Sequence, residues 1–259
     1  MKLFLDSADI DEIKSAQQII DGITTNPSLI KKAAKKHKIK DMKVYIKKIL
    51  TLLKHKPVSL EVKGGTQQQM ISQALRLYET FSTKSNMVVI KIPMHNNKDD
   101  FDSLGVIKHL SKKKIPVNVT LIFTPEQALL AAKAGATYVS PFVGRQEDYI
   151  KQLHGVQSDP KHHFPSYGWY VGAHALEDHG IVSGIELVRQ CVLVLQGYKT
   201  QVLSASIRTT RHIRESALVG AHVVTVPLSL LAQMTQHPKT KEGVEIFEKD
   251  TVKEYEDLL

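Results

Sequence analysis

Along the chain, short apolar, β-branched runs alternate with stretches of helical period. The runs are Leu3–Asp6, Gly22–Thr25, Val58–Lys63, Met87–Ile92, Pro116–Ile122, Thr137–Phe142, Gln201–Ser206 and His222–Val226. Between them apolar residues return at helical spacing, as at Met70, Ala74, Leu77 and Phe81 within Gln67–Phe81. Pro125–Ala134 predicts another helix, opened by Thr124 as N-cap and Pro125 at the first helical position. Strand followed by helix, repeated, predicts parallel strands joined by crossover helices. Eight such units predict an α/β protein closed into a single (β/α)8 TIM barrel with a C-terminal helix, and about 250 residues suffice for one. The domain is expected to run over 1–259, with about 240–259 as the terminal helix. An open doubly wound sheet is the alternative. It would be favoured by a glycine-rich phosphate loop after the first strand, and the chain has none there.

Two stretches break the rhythm. From Gly144 to about Ile181 the chain carries Gly155, Pro160, Pro165, Gly168, Trp169, Gly172 and Gly180, which predicts a long excursion with little regular structure. Residues 31 to 56 hold eleven lysines and one acid, Asp41. The formal charge is +9 overall, so removing that segment (+11 and −1) leaves −1 for the rest. Met42, Val44, Ile46, Ile49, Leu50, Leu52 and Leu53 supply an apolar stripe there, which makes the lysines a solvated helix face. Nucleic-acid readers interleave arginine and aromatics with lysine. This stretch has no arginine and one aromatic, Tyr45, so no nucleic-acid partner is expected.

Composition narrows the setting. Hydrophobic residues make up 42% and charged residues 24%, the balance of a chain with a packed core. Cys191, the lone cysteine, sits in the apolar run Cys191-Val192-Leu193-Val194-Leu195 and reads as a buried, inert thiol. The N-terminus reaches Asp6 too soon for a secretory leader, and no apolar run has the ~18 residues of a membrane span. A cytoplasmic protein without a membrane partner is expected.

Polar residues interrupt the strands at or near their C-terminal ends. Asp6 closes the first strand, and Thr24 and Asn26 follow at the second. Glu61 stands in Ser59-Leu60-Glu61-Val62, and Lys91 in Val88-Val89-Ile90-Lys91-Ile92-Pro93. Asn118 and Thr120, two apart, share a strand face; Ser140 and Ser206 occur in later strands. In a barrel these positions converge on the top mouth, where active sites form. Charge in a buried strand is costly unless paired, and a purely structural ion pair of Lys91 and Glu61 leaves the other polar residues unexplained.

A lysine in an apolar strand has chemistry available. Burial disfavours an ammonium, and the free amine adds to a ketone to give a Schiff base. The protonated imine is an electron sink, so a neighbouring C–C bond can break. A carboxylate must take the proton from the hydroxyl at that bond, and a second carboxylate with a hydroxyl must manage the water of imine formation. Asp6, and Glu61 with Thr120, fit those tasks. Arg145, after the sixth strand, and Arg208, after the seventh, lie near Ser140 and Ser206. Such a pair suits a phosphate dianion.

These segments resemble the transaldolase family. The matches include Leu5-Asp6-Ser7-Ala8-Asp9, Gly22-Ile23-Thr24-Thr25-Asn26-Pro27-Ser28, Glu61-Val62, Ile90-Lys91-Ile92-Pro93, Val117-Asn118-Val119-Thr120-Leu121-Ile122-Phe123, Ser140-Pro141-Phe142-Val143-Gly144-Arg145 and Ser204-Ala205-Ser206-Ile207-Arg208. They fall in family order and run from residue 1 to about 245. The resemblance implies a Schiff base on Lys91, Asp6 as acid and base, and Glu61 with Thr120 at the catalytic water. It implies that Asn26 and Asn118 bind a dihydroxyacetone unit, and that Ser206, Arg145 and Arg208 hold the acceptor's phosphate. The implied reaction moves that unit between sugar phosphates, interconverting sedoheptulose 7-phosphate plus glyceraldehyde 3-phosphate with erythrose 4-phosphate plus fructose 6-phosphate in the pentose phosphate pathway. No cofactor or metal is implied, and the spacing of His154, His162, His163, His174 and His179 matches no common metal site.

The early first strand is similar to a short subfamily that includes fructose-6-phosphate aldolases and forms decamers. There the C-terminal helix, here Lys241–Leu259, reaches a neighbour. Glu61 and Phe142 instead match transaldolases, since the aldolases carry Gln and Tyr at those positions. Fructose-6-phosphate aldolase is therefore the alternative enzyme, and a non-catalytic polyanion-binding barrel the alternative from another class.

Overall fold

The computed structural model describes residues 1–96, 101–153 and 182–250, together with 252, 255 and 258. Its strands are Lys2–Asp6 (β1), Gly22–Thr24 (β2), Pro57–Glu61 (β3), Met87–Pro93 (β4), Val117–Ile122 (β5), Tyr138–Pro141 (β6), Gln201–Ser204 (β7) and Val223–Val226 (β8). Helices precede and follow them: Ile10–Ala16 (α1), Pro27–Lys36 (α2), Met42–Leu52 (α3), Gln67–Phe81 (α4), Asp102–Lys112 (α5) and Pro125–Ala134 (α6). The second half adds Val143–Leu153 (α7), Gly184–Val194 (α8), Thr210–Leu218 (α9), Leu228–Gln233 (α10) and Pro238–Lys249 (α11). The eight strands form a closed barrel in sequence order, with β8 paired to β1 and every pairing parallel. The barrel expectation is therefore met, and the open sheet is excluded.

The alternation of side chains explains both faces. Leu5, Ile23, Val58, Ile90, Val119, Val202 and Val224 belong to the large core between barrel and helices. A second, smaller core fills the barrel itself with Phe4, Val89, Tyr138, Leu203 and Val223. The rings of Phe4 and Tyr138 meet edge to face at 6.1 Å. Gly22 makes room for them, because a Cβ there would stand 2.8 Å from the Phe4 ring. Two residues along from Phe4 the inward position is Asp6, and two along from Val89 it is Lys91. The same interior is thus apolar at its base and polar at its mouth.

Several expectations need correction. The lysine-rich segment is two helices rather than one. They part at Lys38, whose φ of 48° is left-handed, and Asp41 caps α3 by accepting from the Val44 N–H. Tyr45, Ile46, Ile49, Leu50 and Leu53 are buried, but Val44, assigned to the stripe, is exposed. Every lysine of the segment except the half-buried Lys56 is exposed, as a solvated face requires. Lys36 also pairs with Asp9 at 2.6 Å, and the Tyr45 hydroxyl donates to Ala8 O. These contacts anchor the loop that follows Asp6.

The excursion after Gly144 does not begin there, because α7 runs to Leu153. The buried side of α7 carries Gln146, Glu147 and Lys151 beside Val143 and Ile150. Its inward face is polar, so hydropathy alone hides the helix. The rest of the excursion, with its five histidines, lies outside the described residues. The terminal helix begins at Pro238, three residues before the predicted Lys241, and its described run extends to Lys249; most of the residues after Asp250 lie outside the described ones. Cys191 is fully buried on α8, and burial pushes its thiol up to about 12. Among the described residues, no helix is long and apolar enough to cross a membrane.

Candidate active site

A cavity of about 160 Å³ opens at the C-terminal ends of the strands. Its walls include Asp6, Thr24, Asn26, Lys91, Asn118, Thr120, Ser140, Phe142, Arg145 and Ser206. Ten of the twelve residues singled out from the sequence therefore meet in one place. Glu61 and Arg208 stand just outside that wall.

Lys91 is 5% exposed. Its Nζ lies 3.1 Å from Glu61 Oε2 and donates to Thr25 O at 3.1 Å. Strand register makes this pairing: Glu61 of β3 sits opposite Lys91 of β4, which sits opposite Asn118 of β5. Glu61 thus reaches the Lys91 amine from behind the cavity wall, within proton-exchange distance.

Asp6 accepts from Thr24 Oγ1 at 2.7 Å. Burial raises its pKa above the ordinary carboxylate value, opposed by that hydrogen bond and by the Lys91 charge. On the other side, Ser140 Oγ donates to Asn118 Oδ1 at 2.7 Å, and Asn118 Nδ2 lies 3.4 Å from Ser59 Oγ. Asn118 is held in one orientation. Asn26 has a structural duty as well, since its side chain caps α2 by accepting from the Leu29 N–H. Thr120 is different: its hydroxyl is buried and, among the described residues, has no hydrogen-bond partner. A polar group bound in the cavity would satisfy it. Just beyond it Leu121 adopts a left-handed φ of 60°, where the β5–β6 register shifts. Nothing in the sequence marks that bulge, because the strained residue is not glycine.

Phe142 is wedged between an edge-to-face contact with Phe123, 5.9 Å between centroids, and the Arg145 guanidinium, 5.5 Å from its ring centre. Arg208 is held away from the cavity by a bidentate ion pair with Asp148 of α7, and that contact pulls the Asp148 carboxyl below its usual range. Ser206, between the two arginines, has a left-handed φ of 59°. Gly144 permits the approach: a Cβ there would fall 2.5 Å from Ser206 O and 2.6 Å from Arg208 Nε. Sequence reasoning missed Asp148 and also Thr225, Leu203 and Ala205 of the wall. Thr225 hides in Val223-Val224-Thr225-Val226, where threonine reads as one more β-branched strand residue. The period-two count from Val223 was the available signal.

A closed parallel barrel with a buried lysine and two carboxylates near its C-terminal mouth gathers its polar residues where barrel enzymes carry their active sites. The chain belongs to the Transaldolase/Fructose-6-phosphate aldolase family, whose profile matches residues 3–258. Among its relatives is a probable transaldolase of Chlorobaculum parvum, 39% identical over 257 residues, covering 96% of this chain and 97% of that protein. A probable transaldolase of Thermodesulfovibrio yellowstonii is 39% identical over 254 residues with the same coverage, and one of Brachyspira hyodysenteriae is 40% identical over 256. The family supports an enzyme with transaldolase-type activity.

Proposed function

We propose that the chain, acting over 1–259 as one barrel domain, is a transaldolase that carries a dihydroxyacetone unit between sugar phosphates on Lys91. The observation behind this reading is the buried Lys91 ammonium, 3.1 Å from Glu61, in a cavity it shares with Asp6. Glu61 takes a proton from Lys91, and the freed amine adds to the C2 carbonyl of fructose 6-phosphate or sedoheptulose 7-phosphate. Water leaves from the carbinolamine, handled by Glu61 and Thr120, to give the iminium. The Asp6 carboxylate then takes the C4 hydroxyl proton. The C3–C4 bond breaks, its electrons flow to the iminium, and an enamine remains as the aldose phosphate departs. An acceptor aldehyde reverses these steps, and Asp6 returns its proton to the new alkoxide.

A cavity of about 160 Å³ suits a three-carbon unit. Asn118 and Asn26 hold its hydroxyls, with Thr24 and Ser140 completing the wall. The phosphate lies farther out, at Ser206 and Arg145, with Arg208 swinging from Asp148 to join them. The reaction needs no cofactor. The setting is the cytoplasmic pentose phosphate pathway, and the working form is a homo-oligomer, with α11 against a neighbouring subunit. Val244 and Ile246 of α11 are half exposed, and no residue of this helix is buried.

Incubation with fructose 6-phosphate and borohydride tests the nucleophile. A reduced three-carbon adduct should appear on the peptide that contains Lys91. A label on another lysine, or no label, rejects the mechanism.

A further inference from the structure

The strands that flank β1 each contribute one hydroxyl to a chain that ends on Asp6. Thr24 of β2 lies opposite Asp6 in register, and Thr225 of β8 lies opposite Phe4, one inward position lower. Thr24 Oγ1 is 2.7 Å from Asp6 Oδ1 and 2.6 Å from Thr225 Oγ1. Thr225 is 3% exposed and lines the cavity.

The chemistry of hydroxyls fixes the direction of this chain. A threonine hydroxyl carries one hydrogen, and an ionised carboxylate only accepts. When Asp6 is ionised, Thr24 must spend its hydrogen on Asp6. The short contact to Thr225 then requires Thr225 to donate to Thr24. We propose that Thr225 is a positioning residue for Asp6, locking Thr24 as the donor that steadies its carboxylate for proton transfer. This inference rests on the reading of Asp6 as the acid and base of the reaction.

Burial raises the Asp6 pKa, and the Thr24 hydrogen bond opposes it. The charged surroundings leave the hydroxyl chain a clear share. From β4, Lys91 faces Asp6; from β3, Glu61 is already ion-paired to Lys91. Arg145, at the start of α7, lines the same cavity. Beyond β1, Asp9 is engaged by Lys36 and His37, and Glu12 accepts from Ser7 Oγ. Neither β2 nor β8 carries a titratable residue, so their contribution to Asp6 is these two hydroxyls.

Thr225→Val deletes the hydroxyl and keeps the shape; Thr225→Ser keeps the hydroxyl. The Asp6 carboxyl is followed by ¹³C NMR titration, and the pH dependence of kcat by steady-state kinetics. In the valine variant the titration of Asp6 should move up by about 1 pH unit. The acid limb of kcat should follow it, with kcat down about 10-fold, KM little changed and borohydride trapping on Lys91 intact. The serine variant should return both readouts toward wild type. An Asp6 titration unmoved in Thr225→Val, or not restored in Thr225→Ser, overturns the proposal. Asp6→Asn separates the two readings: wild-type turnover there removes Asp6 from the reaction, while the titration still decides the role of Thr225.

Discussion

On the proposed mechanism, Phe142 stands where two fates of the enamine divide. Once the C–C bond is broken, the three-carbon unit on Lys91 either attacks an aldehyde or is protonated and hydrolysed. Hydrolysis needs a proton donor and an ordered water beside the enamine. A phenyl ring supplies neither, and this one is braced by Phe123 and Arg145 rather than free to swing aside. A tyrosine would add a hydroxyl at the ring tip with little change in shape. Phe142→Tyr should therefore lower transfer to erythrose 4-phosphate and raise release of dihydroxyacetone from fructose 6-phosphate. The ratio of the two rates, in wild type and variant, is the measurement. A wild type that releases dihydroxyacetone as fast as it transfers would favour the aldolase alternative, and an unchanged ratio would remove this role from Phe142. Phe142 was marked out only by the family resemblance, whereas Asp6, Lys91 and Asn118 were legible because a charged or polar side chain in an apolar strand has few other reasons to be there. Thr225 was not, since threonine is at home in any strand. Nor was Asp148, whose partner Arg208 lies sixty positions away in the chain.

At the scale of elements, α7 links the cavity to the rim proposed to hold the phosphate. Val143 N and Gly144 N donate to Ala205 O and Ser206 O, each at 2.9 Å, so the helix start is stitched to the segment after β7. Gly144 lets that segment and the Arg208 side chain cross directly over the helix. Gly144→Ala would drive a methyl group toward a backbone carbonyl, which yields far less readily than a flexible side chain. The expected result is a loss of about 1–3 kcal/mol in stability. KM for glyceraldehyde 3-phosphate should rise at least about 10-fold as Arg208 and Ser206 are displaced. KM for unphosphorylated glyceraldehyde should change much less. Equal effects on both acceptors would argue against phosphate at this rim. The strands and α4 and α6 were readable because their buried faces are apolar at the proper period. The helix α7 was not, because Gln146, Glu147 and Lys151 fill its buried face. The strand ends differ from expectation by one or two residues, in both directions.

At the scale of the whole molecule, α11 projects apolar side chains to solvent. A 12-residue helix is marginal alone in water, so its stability must come from packing. Val244 and Ile246 are 50% and 47% exposed. Val244→Asp combined with Ile246→Asp should lower the molar mass seen by sedimentation equilibrium, while the barrel's circular dichroism is kept. A wild type that sediments as a monomer at micromolar concentration would sink the oligomer proposal.

The apolar base of the barrel has one more consequence. Phe4, Tyr138, Leu203 and Val223 shut the lower end, and Gly22 exists in part so that the Phe4 ring can fit. Among the described residues the cavity is therefore a blind cup, closed at its base and open at its mouth. In the proposed reaction an arriving aldehyde cannot enter behind a departing one, because both use the mouth that Arg145 lines. On the proposed mechanism, turnover becomes a strict exchange of guests: the first aldose phosphate vacates the doorway before the second is admitted, and the tethered three-carbon unit waits alone between visits.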